Sequence, residues 1–140
     1  MTDLLAASMR IAGSGLEAQS ARIRVVAENL ANAQSSARSP GASPYRRKTI
    51  SFHQALDQAS GGALVKAGTI GRDGSVFPLH HQPSHPAADA RGYVRMPNVN
   101  PLVELTDMRQ ANRAYEANLQ VITLSKRMMS MTIDLLRSGR

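Results

Sequence analysis

The chain has no cysteine and no tryptophan, and only two phenylalanines and three tyrosines. Without cysteine there is no disulfide framework and no thiolate metal site, and the redox compartment stays open. With aromatics at 4%, a compact core would lack its usual bulky fillers. Seams between helices suit this composition better. No run of about 18 apolar residues occurs, so no segment reads as a bilayer span. The N-terminus lacks a basic stretch followed by an apolar core, so no cleavable secretory signal is expected. A protein of this kind working outside the cytoplasm would leave by another route. Proline is missing from both ends: all seven prolines fall between Pro40 and Pro101.

The two proline-free ends carry the strongest pattern. Over roughly 3–33, apolar or small residues recur at heptad spacing: Leu5, Met9, Ala12, Leu16, Ile23, Val26, Leu30 and Ala33. Over roughly 102–137 the pattern returns with Leu105, Met108, Tyr115, Leu119, Ile122, Met129, Ile133 and Leu136. A seam repeating about every 3.5 residues calls for another helix against it. The first partner is the other end of the same chain, and the next is another copy or another protein. With 140 residues, this predicts a mainly α fold. Its frame is a long antiparallel coiled-coil hairpin of N- and C-terminal helices, with a small irregular β insert. The expected divisions are 1–36, 37–97 and 98–140.

Local signals refine the ends. Thr2 or Asp3 is a plausible cap for the first helix, which should fray near Asn32–Gln34. Gly13 and Gly15 each cost about 1 kcal/mol in a helix interior, which points to close helix approach or a bend. Pro101 suits the first position of the last helix, with Asn100 as its cap and Gly139 as its stop. Asn112 and Lys126 interrupt the second seam, as register-setting polar residues do.

The middle is looser. Residues 34–48 are rich in Pro, Gly and Ser and read as a loop. Lys48 to His53 alternates like a short strand. Residues 64–71 and 75–79 should pair across Arg72-Asp73-Gly74-Ser75, since Asp-Gly between β-rich runs signals a hairpin. Residues 78–92 read as irregular, and Tyr93-Val94 as one more short strand. Such an insert is marginal on its own.

Charge excludes one class and weakens others. The net charge is +7, but residues 1–36 are neutral and the excess lies in 37–97. A DNA-reading helix would show the reverse, and sparse aromatics also argue against nucleic acid. Gly13-Ser14-Gly15-Leu16-Glu17-Ala18 spells a dinucleotide-binding pattern, but no α/β unit surrounds it. His80, His81 and His85 beside Asp89 have a spacing that metals accept, yet they lie in a Pro-rich stretch without a rigid frame. No nucleophile, base and acid set stands out, so neither an enzyme nor a cofactor is expected. The rival readings are a basic nucleic-acid-binding protein and a soluble helical-bundle enzyme or metal protein using these histidines. Tyr45-Arg46-Arg47-Lys48 reads either as solvated or neighbour-contacting charge, or as a specific anion contact. Met128, Met129 and Met131 suit a soft packing surface.

Three stretches carry a resemblance. Ile11-Ala12-Gly13-Ser14-Gly15-Leu16-Glu17-Ala18-Gln19-Ser20, Arg22 and Ala27-Glu28-Asn29-Leu30-Ala31-Asn32-Ala33 form the first. Pro44-Tyr45-Arg46-Arg47-Lys48 and Gly92-Tyr93-Val94-Arg95-Met96-Pro97-Asn98-Val99-Asn100 form the second. Met108 to Asn118, with Arg113, Ala114 and Tyr115, and Ser125-Lys126-Arg127-Met128-Met129 form the third. Together they resemble the bacterial flagellar rod and hook protein family. The match covers both ends well and residues 53–80 poorly. Pro44 stands where the family usually has Gly, in a longer loop, and Asn100-Pro101 where an acidic residue is usual.

The resemblance implies a structural subunit of the proximal rod of the flagellar basal body. Such subunits pass through the flagellar type III export apparatus without a cleaved signal. They assemble in the periplasm into a helical drive shaft. Implied partners are other rod proteins, the hook–basal-body adaptor and further copies of the chain, with no nucleic acid and no membrane insertion. The implied assembly residues are Leu16, Ile23, Val26, Asn29, Leu30, Asn32, Tyr45, Arg46, Tyr93, Met108, Tyr115, Asn118, Leu119, Ile122 and Met129.

Overall fold

The computed structural model describes residues 2–57 and 61–138. The elements run α1 (Thr2–Ala31), β1 (Lys48–Leu56), β2 (Ala63–Arg72), β3 (Leu79–His81), β4 (Tyr93–Arg95) and α2 (Pro101–Ser138). Two long helices and a small antiparallel β insert make the chain mainly α, as expected. The contacts divide it into two compact units. One comprises Met1–Arg22, Phe52–Gly68 and Gln110–Arg140; the other comprises Ile23–Ser51 and Thr69–Arg109.

The helix ends follow local chemistry. α1 starts at Thr2, so Asp3 lies inside the first turn, where its charge suits the helix dipole. At the other end the Asn32 side-chain amide donates to the Glu28 carbonyl at 2.9 Å. The same carbonyl accepts the Asn32 backbone N–H at 3.1 Å, so both donors of Asn32 close the last turn. Asn100 caps α2: its Oδ1 accepts from the Leu102 N–H at 3.0 Å. Pro101 is the first helical residue. The stop expected at Gly139 lies outside the described residues.

In the first unit, α1 and α2 meet through small and polar side chains. Ser8 Oγ and Ser125 Oγ are 3.1 Å apart. Asn118 lies over Gly15, so closely that a Cβ there would come within 2.7 Å of its amide nitrogen. Arg22 donates to the Gln110 side chain at 3.4 Å. Ala12, Ala18, Ala111 and Ser125 are buried. The second unit continues the spacing with Asn29 donating to Glu104 Oε2 at 3.1 Å. The contact residues thus recur about every seven positions, antiparallel in number. Ser14 also ties α1 to the insert: its Oγ accepts from the Val65 N–H at 3.1 Å.

This corrects the phase of the expected seam on α2. Met108, Ile122 and Met129 are half-buried. Leu105, Tyr115, Leu119, Ile133 and Leu136 are exposed, Leu119 at 48% and Leu136 at 73%. Asn112 and Lys126 are also exposed, so they do not interrupt the seam. The buried positions Glu104, Ala111 and Ser125 sit one residue earlier. On α1, Ala12 and Val26 are buried, and Leu5, Met9, Leu16, Ile23 and Leu30 are half-buried, as is Ala33 in the turn just after it.

The insert also departs from one expectation. β2 pairs with β1, and β3 with β4. Asp73-Gly74 is therefore no hairpin turn. The Asp73 N–H donates to the Arg47 carbonyl at 2.8 Å, and its carboxylate accepts from the Ser75 N–H at 2.8 Å. Gly74 does not take the left-handed backbone that such hairpins use. The stretch expected to be irregular holds β3, whose Leu79, His80 and His81 face Arg95, Val94 and Tyr93. The turn closing this pair uses Gly92 at φ 78°. Val94 is fully buried and packs with Ala37, Ala87, Ala88 and Met96.

The two helical glycines should respond differently to alanine. Around Gly13 there is open space, so Gly13→Ala is expected to stabilise by about 0.5–1 kcal/mol. Gly15→Ala gains the same propensity but must push Asn118 aside, so it is expected to melt below Gly13→Ala. Thermal unfolding followed by circular dichroism checks the order of the two.

Candidate assembly site

Glu104 organises the second unit. It is fully buried, and its Oε1 accepts from Arg47 Nε at 2.6 Å. Its Oε2 accepts from Asn29 Nδ2. Removing a carboxylate from water is tolerable only with such partners. Asn29 is equally committed. Its amide also donates to the Lys48 carbonyl at 2.8 Å. Its oxygen accepts from the Lys48 N–H at 2.8 Å and from the Tyr45 hydroxyl at 2.9 Å. The Lys48 ammonium pairs with Glu28. The chain after α1 is thereby fastened along the helix it has just left.

Asn98 closes the network from the C-terminal side. Its oxygen accepts from the Arg47 N–H at 2.8 Å, and its amide donates to Ser75 Oγ at 2.9 Å. Arg46 donates to the Asp73 carbonyl at 2.8 Å and lies 4.2 Å above the Phe77 ring. The basic cluster is therefore mostly spoken for inside its own unit. Burial works against the Arg47 charge, but the hydrogen bond and charge of Glu104, with Asp73 and Asp107, outweigh it and raise its pKa.

Two groups here carry pH signatures. Burial, then the charges of Glu28 and Glu104, raise the Tyr45 pKa above 10.0. Hydrogen bonds from Ser75, with Arg47 nearby, lower the Asp73 pKa below 3.8.

The histidines do not converge. His81 packs against Tyr93 with the rings tilted by 59° and their centroids 5.0 Å apart. The imidazole of His85 accepts from the Ala87 N–H at 3.1 Å, and its other nitrogen is 3.1 Å from Ser36 Oγ. Among the described residues no three His, Cys, Asp or Glu side chains are placed to hold a metal ion, so the rival metal reading has no site there. None of the described helices is long and apolar enough to cross a membrane.

The expected assembly residues fall into two groups. Val26 and Asn29 are buried, and Leu16, Ile23, Leu30, Asn32, Tyr45, Arg46, Met108, Asn118, Ile122 and Met129 are half-buried. Tyr93, Tyr115 and Leu119 are exposed. Sequence reasoning passed over Glu104, and it met Arg47 only in the basic cluster, Asp73 only as a turn residue and Asn98 only within the resemblance. The signal for Glu104 was its place in the series 104, 111, 118, 125 of small and polar residues. It also passed over Val121, Leu124 and Leu135, which are exposed on α2 with Met128 and Met131.

Known proteins place this architecture. Residues 9–34 match the family model described as flagella basal body rod protein. Residues 90–135 match the flagellar basal body rod FlgEFG protein C-terminal model. Flagellar basal-body rod protein FlgC of Agrobacterium fabrum is 52% identical over 138 residues, covering 99% of each chain. FlgC of Salmonella typhimurium is 43% identical over 127 residues, covering 89% of this chain and 92% of the relative. FlgC of Bacillus subtilis is 34% identical over 143 residues, covering 91% and 95%. The fold and these matches define a flagellar basal-body rod protein, a structural subunit and not an enzyme. Within that class the chain belongs to the FlgC family.

Two outcomes follow for the Glu104 network. Glu104→Ala leaves Arg47 without its carboxylate and is expected to cost about 2–3 kcal/mol in urea unfolding, less than a fully enclosed pair because Arg47 is partly exposed. The Tyr45 contribution is fully present below pH 10.0 and is lost as pH rises through the higher folded value. Asp73 acts oppositely: its contribution is present above pH 3.8 and is lost as pH falls through the lower folded value. Unfolding curves should show Tyr45→Phe flattening the alkaline fall and Asp73→Asn the acid one.

Proposed function

We propose that the chain is a subunit of the proximal rod, part of a helical drive shaft that carries motor torque to hook and filament. In this reading α1 and α2 pair as an antiparallel coiled-coil hairpin forming an inner layer, from residues 1–36 and 98–140. Residues 37–97 form an outer module. The partners are other rod proteins, the hook–basal-body adaptor and further copies. The chain reaches the periplasm through the flagellar export apparatus without a cleaved signal.

One observation carries the reading: α2 spends small and polar residues on α1 and leaves Leu119, Leu124, Met128, Met131, Ile133, Leu135 and Leu136 exposed. A monomer gains nothing from that arrangement. A subunit held by neighbours does, because those contacts bury the row. The heptad spacing favours helices as the neighbours. Torque transmission needs large lateral contacts of this sort, and α1 and α2, with 30 and 38 residues, are roughly 45 and 57 Å long.

Complementation tests it. In a motile host lacking its own proximal-rod protein of this family, the unmodified chain should restore swimming and be recovered in purified basal bodies. Leu30→Asp should abolish both, while His81→Ala should leave swimming nearly intact. Normal swimming with Leu30→Asp, or none with the unmodified chain, would count against the reading.

A further inference from the structure

The short ribbon of β3 and β4 leaves one backbone edge partly open. Leu79, His80 and His81 face Arg95, Val94 and Tyr93. The Gln82 N–H donates to the Gly92 carbonyl at 2.8 Å, and the Met96 N–H to the Pro78 carbonyl at 2.9 Å. In an antiparallel ladder, hydrogen-bonded pairs alternate with non-bonded ones. Gln82 with Gly92, His80 with Val94 and Pro78 with Met96 are therefore the bonded pairs. The N–H and C=O of Tyr93 and of Arg95 turn the other way, along the outer edge of β4.

At Tyr93 that edge is occupied. The Asp89 N–H donates to the Tyr93 carbonyl at 2.9 Å. Asp89 Oδ1 accepts from the Tyr93 N–H at 2.9 Å and from the Arg91 N–H at 2.8 Å. Asp89 thus forms the first rung of a third strand, with its carboxylate standing where a strand carbonyl would. The next rung falls at Arg95, about 7 Å along. Among the described residues, the Arg95 N–H and C=O take no partner, and its guanidinium makes no hydrogen bond or ion pair. A cavity of about 130 Å³ opens here, lined by Asp89, Tyr93 and Arg95 with Ala37, Leu79 and Ala87.

We infer that this cavity and the open rung of β4 form a binding site for a short extended peptide. The peptide pairs with the Arg95 backbone in line after Asp89 and sets one small apolar side chain into the cavity.

The chemistry selects that ligand. An edge residue with both a free N–H and a free C=O is matched by one residue of an extended chain, which brings one of each. The charged side chains at the cavity are of opposite sign. The Tyr93 N–H, with the Arg91 N–H and the charges of Arg91 and Arg95, holds the Asp89 carboxyl below 3.8, so it is ionised at neutral pH. A lone anion meets Asp89 and a lone cation meets Arg95, whereas a neutral amide suits both. The volume is well under the roughly 300–1,000 Å³ of ordinary small-molecule pockets, which leaves room for a side chain the size of alanine or valine. Ala37 and Ala87 are buried, while Leu79 and Tyr93 are exposed at 61% and 42%. The last two are free to cover an incoming chain.

The probe is the capped peptide acetyl-Ala-Val-Ala-amide, titrated into the full chain and followed through its amide resonances by NMR. Saturable shifts are expected at Arg95, Ala37 and Ala87, with a millimolar dissociation constant. Acetate and methylammonium at the same concentrations are expected to leave the Arg95 amide unmoved.

Two variants separate backbone pairing from side-chain contact. Arg95→Pro removes the outward N–H, which the ladder to β3 does not use and which an edge position can lose. It is expected to weaken binding by about tenfold, while Arg95→Ala, which keeps that N–H, stays close to the parent. Ala42 also lines the cavity and is exposed, so Ala42→Trp should fill it and weaken binding as much without touching the edge.

Shifts that do not saturate, or that acetate or methylammonium reproduces, would overturn the proposal. So would equal loss in Arg95→Ala and Arg95→Pro, or parental binding by Ala42→Trp. The site stands apart from the rod reading, whose own failure shows in the swimming assay.

Discussion

The rest of the structure depends on how closely α1 and α2 approach. At Gly15 there is no side chain, and the Asn118 amide occupies the space a Cβ would take. Ser8 meets Ser125, and Ala12, Ala18 and Ala111 are buried nearby. Small residues bring helix backbones together but bury little apolar area, and area sets most of the gain. The seam is therefore specific before it is strong. Its polar members fix register, because Asn and Ser paid for in lost burial must meet their own partners and no others.

In the second unit α2 delivers a carboxylate to a fully buried site. Glu104 imposes the strongest local demand, and the surrounding chain is arranged to meet it. Arg47 and Asn29 bind its two oxygens, Asn98 holds the Arg47 backbone, and Tyr45 and Lys48 complete Asn29. Several residues that carry the family signature thus serve internal order first. Asn29, Tyr45 and Asn98 hold the loop after α1 and the entry to α2 together. Their contribution to assembly acts through the shape they maintain.

The sequence revealed the helices, the Asn100 cap of α2 and the period of the seams. It gave the wrong phase on α2 because hydropathy marks the largest apolar side chains. Here Leu105, Tyr115, Leu119, Ile133 and Leu136 are exposed, and Glu104, Ala111, Asn118 and Ser125 face the partner helix with Ile122 and Met129 half-buried beside them. A one-residue error turns the helix by about 100° and exchanges inside for outside. The strand pairing failed for another reason. Asp73-Gly74 looked like a turn, but the Asp73 carboxylate caps the Ser75 N–H and its backbone reaches Arg47. That partner lies 26 positions away, beyond the range of local turn chemistry.

The steric logic of the seam also explains why α2 keeps its large side chains free. Leu119 and Leu124 lie on opposite flanks of the line through Asn118, Ser125 and Thr132. Turning either flank onto α1 would set a leucine against Gly15 or Ser8, where the backbones are already too close to hold it. The helices would have to separate, Asn118 would lose Gly15, and Ser8 would lose Ser125. The small residues on α1 therefore act as a phase lock on α2. They choose which side is spent within the chain and which sides remain for other helices. A bulkier α1 would bury more area within one chain and, by the same steps, remove the surface that a repeating assembly needs.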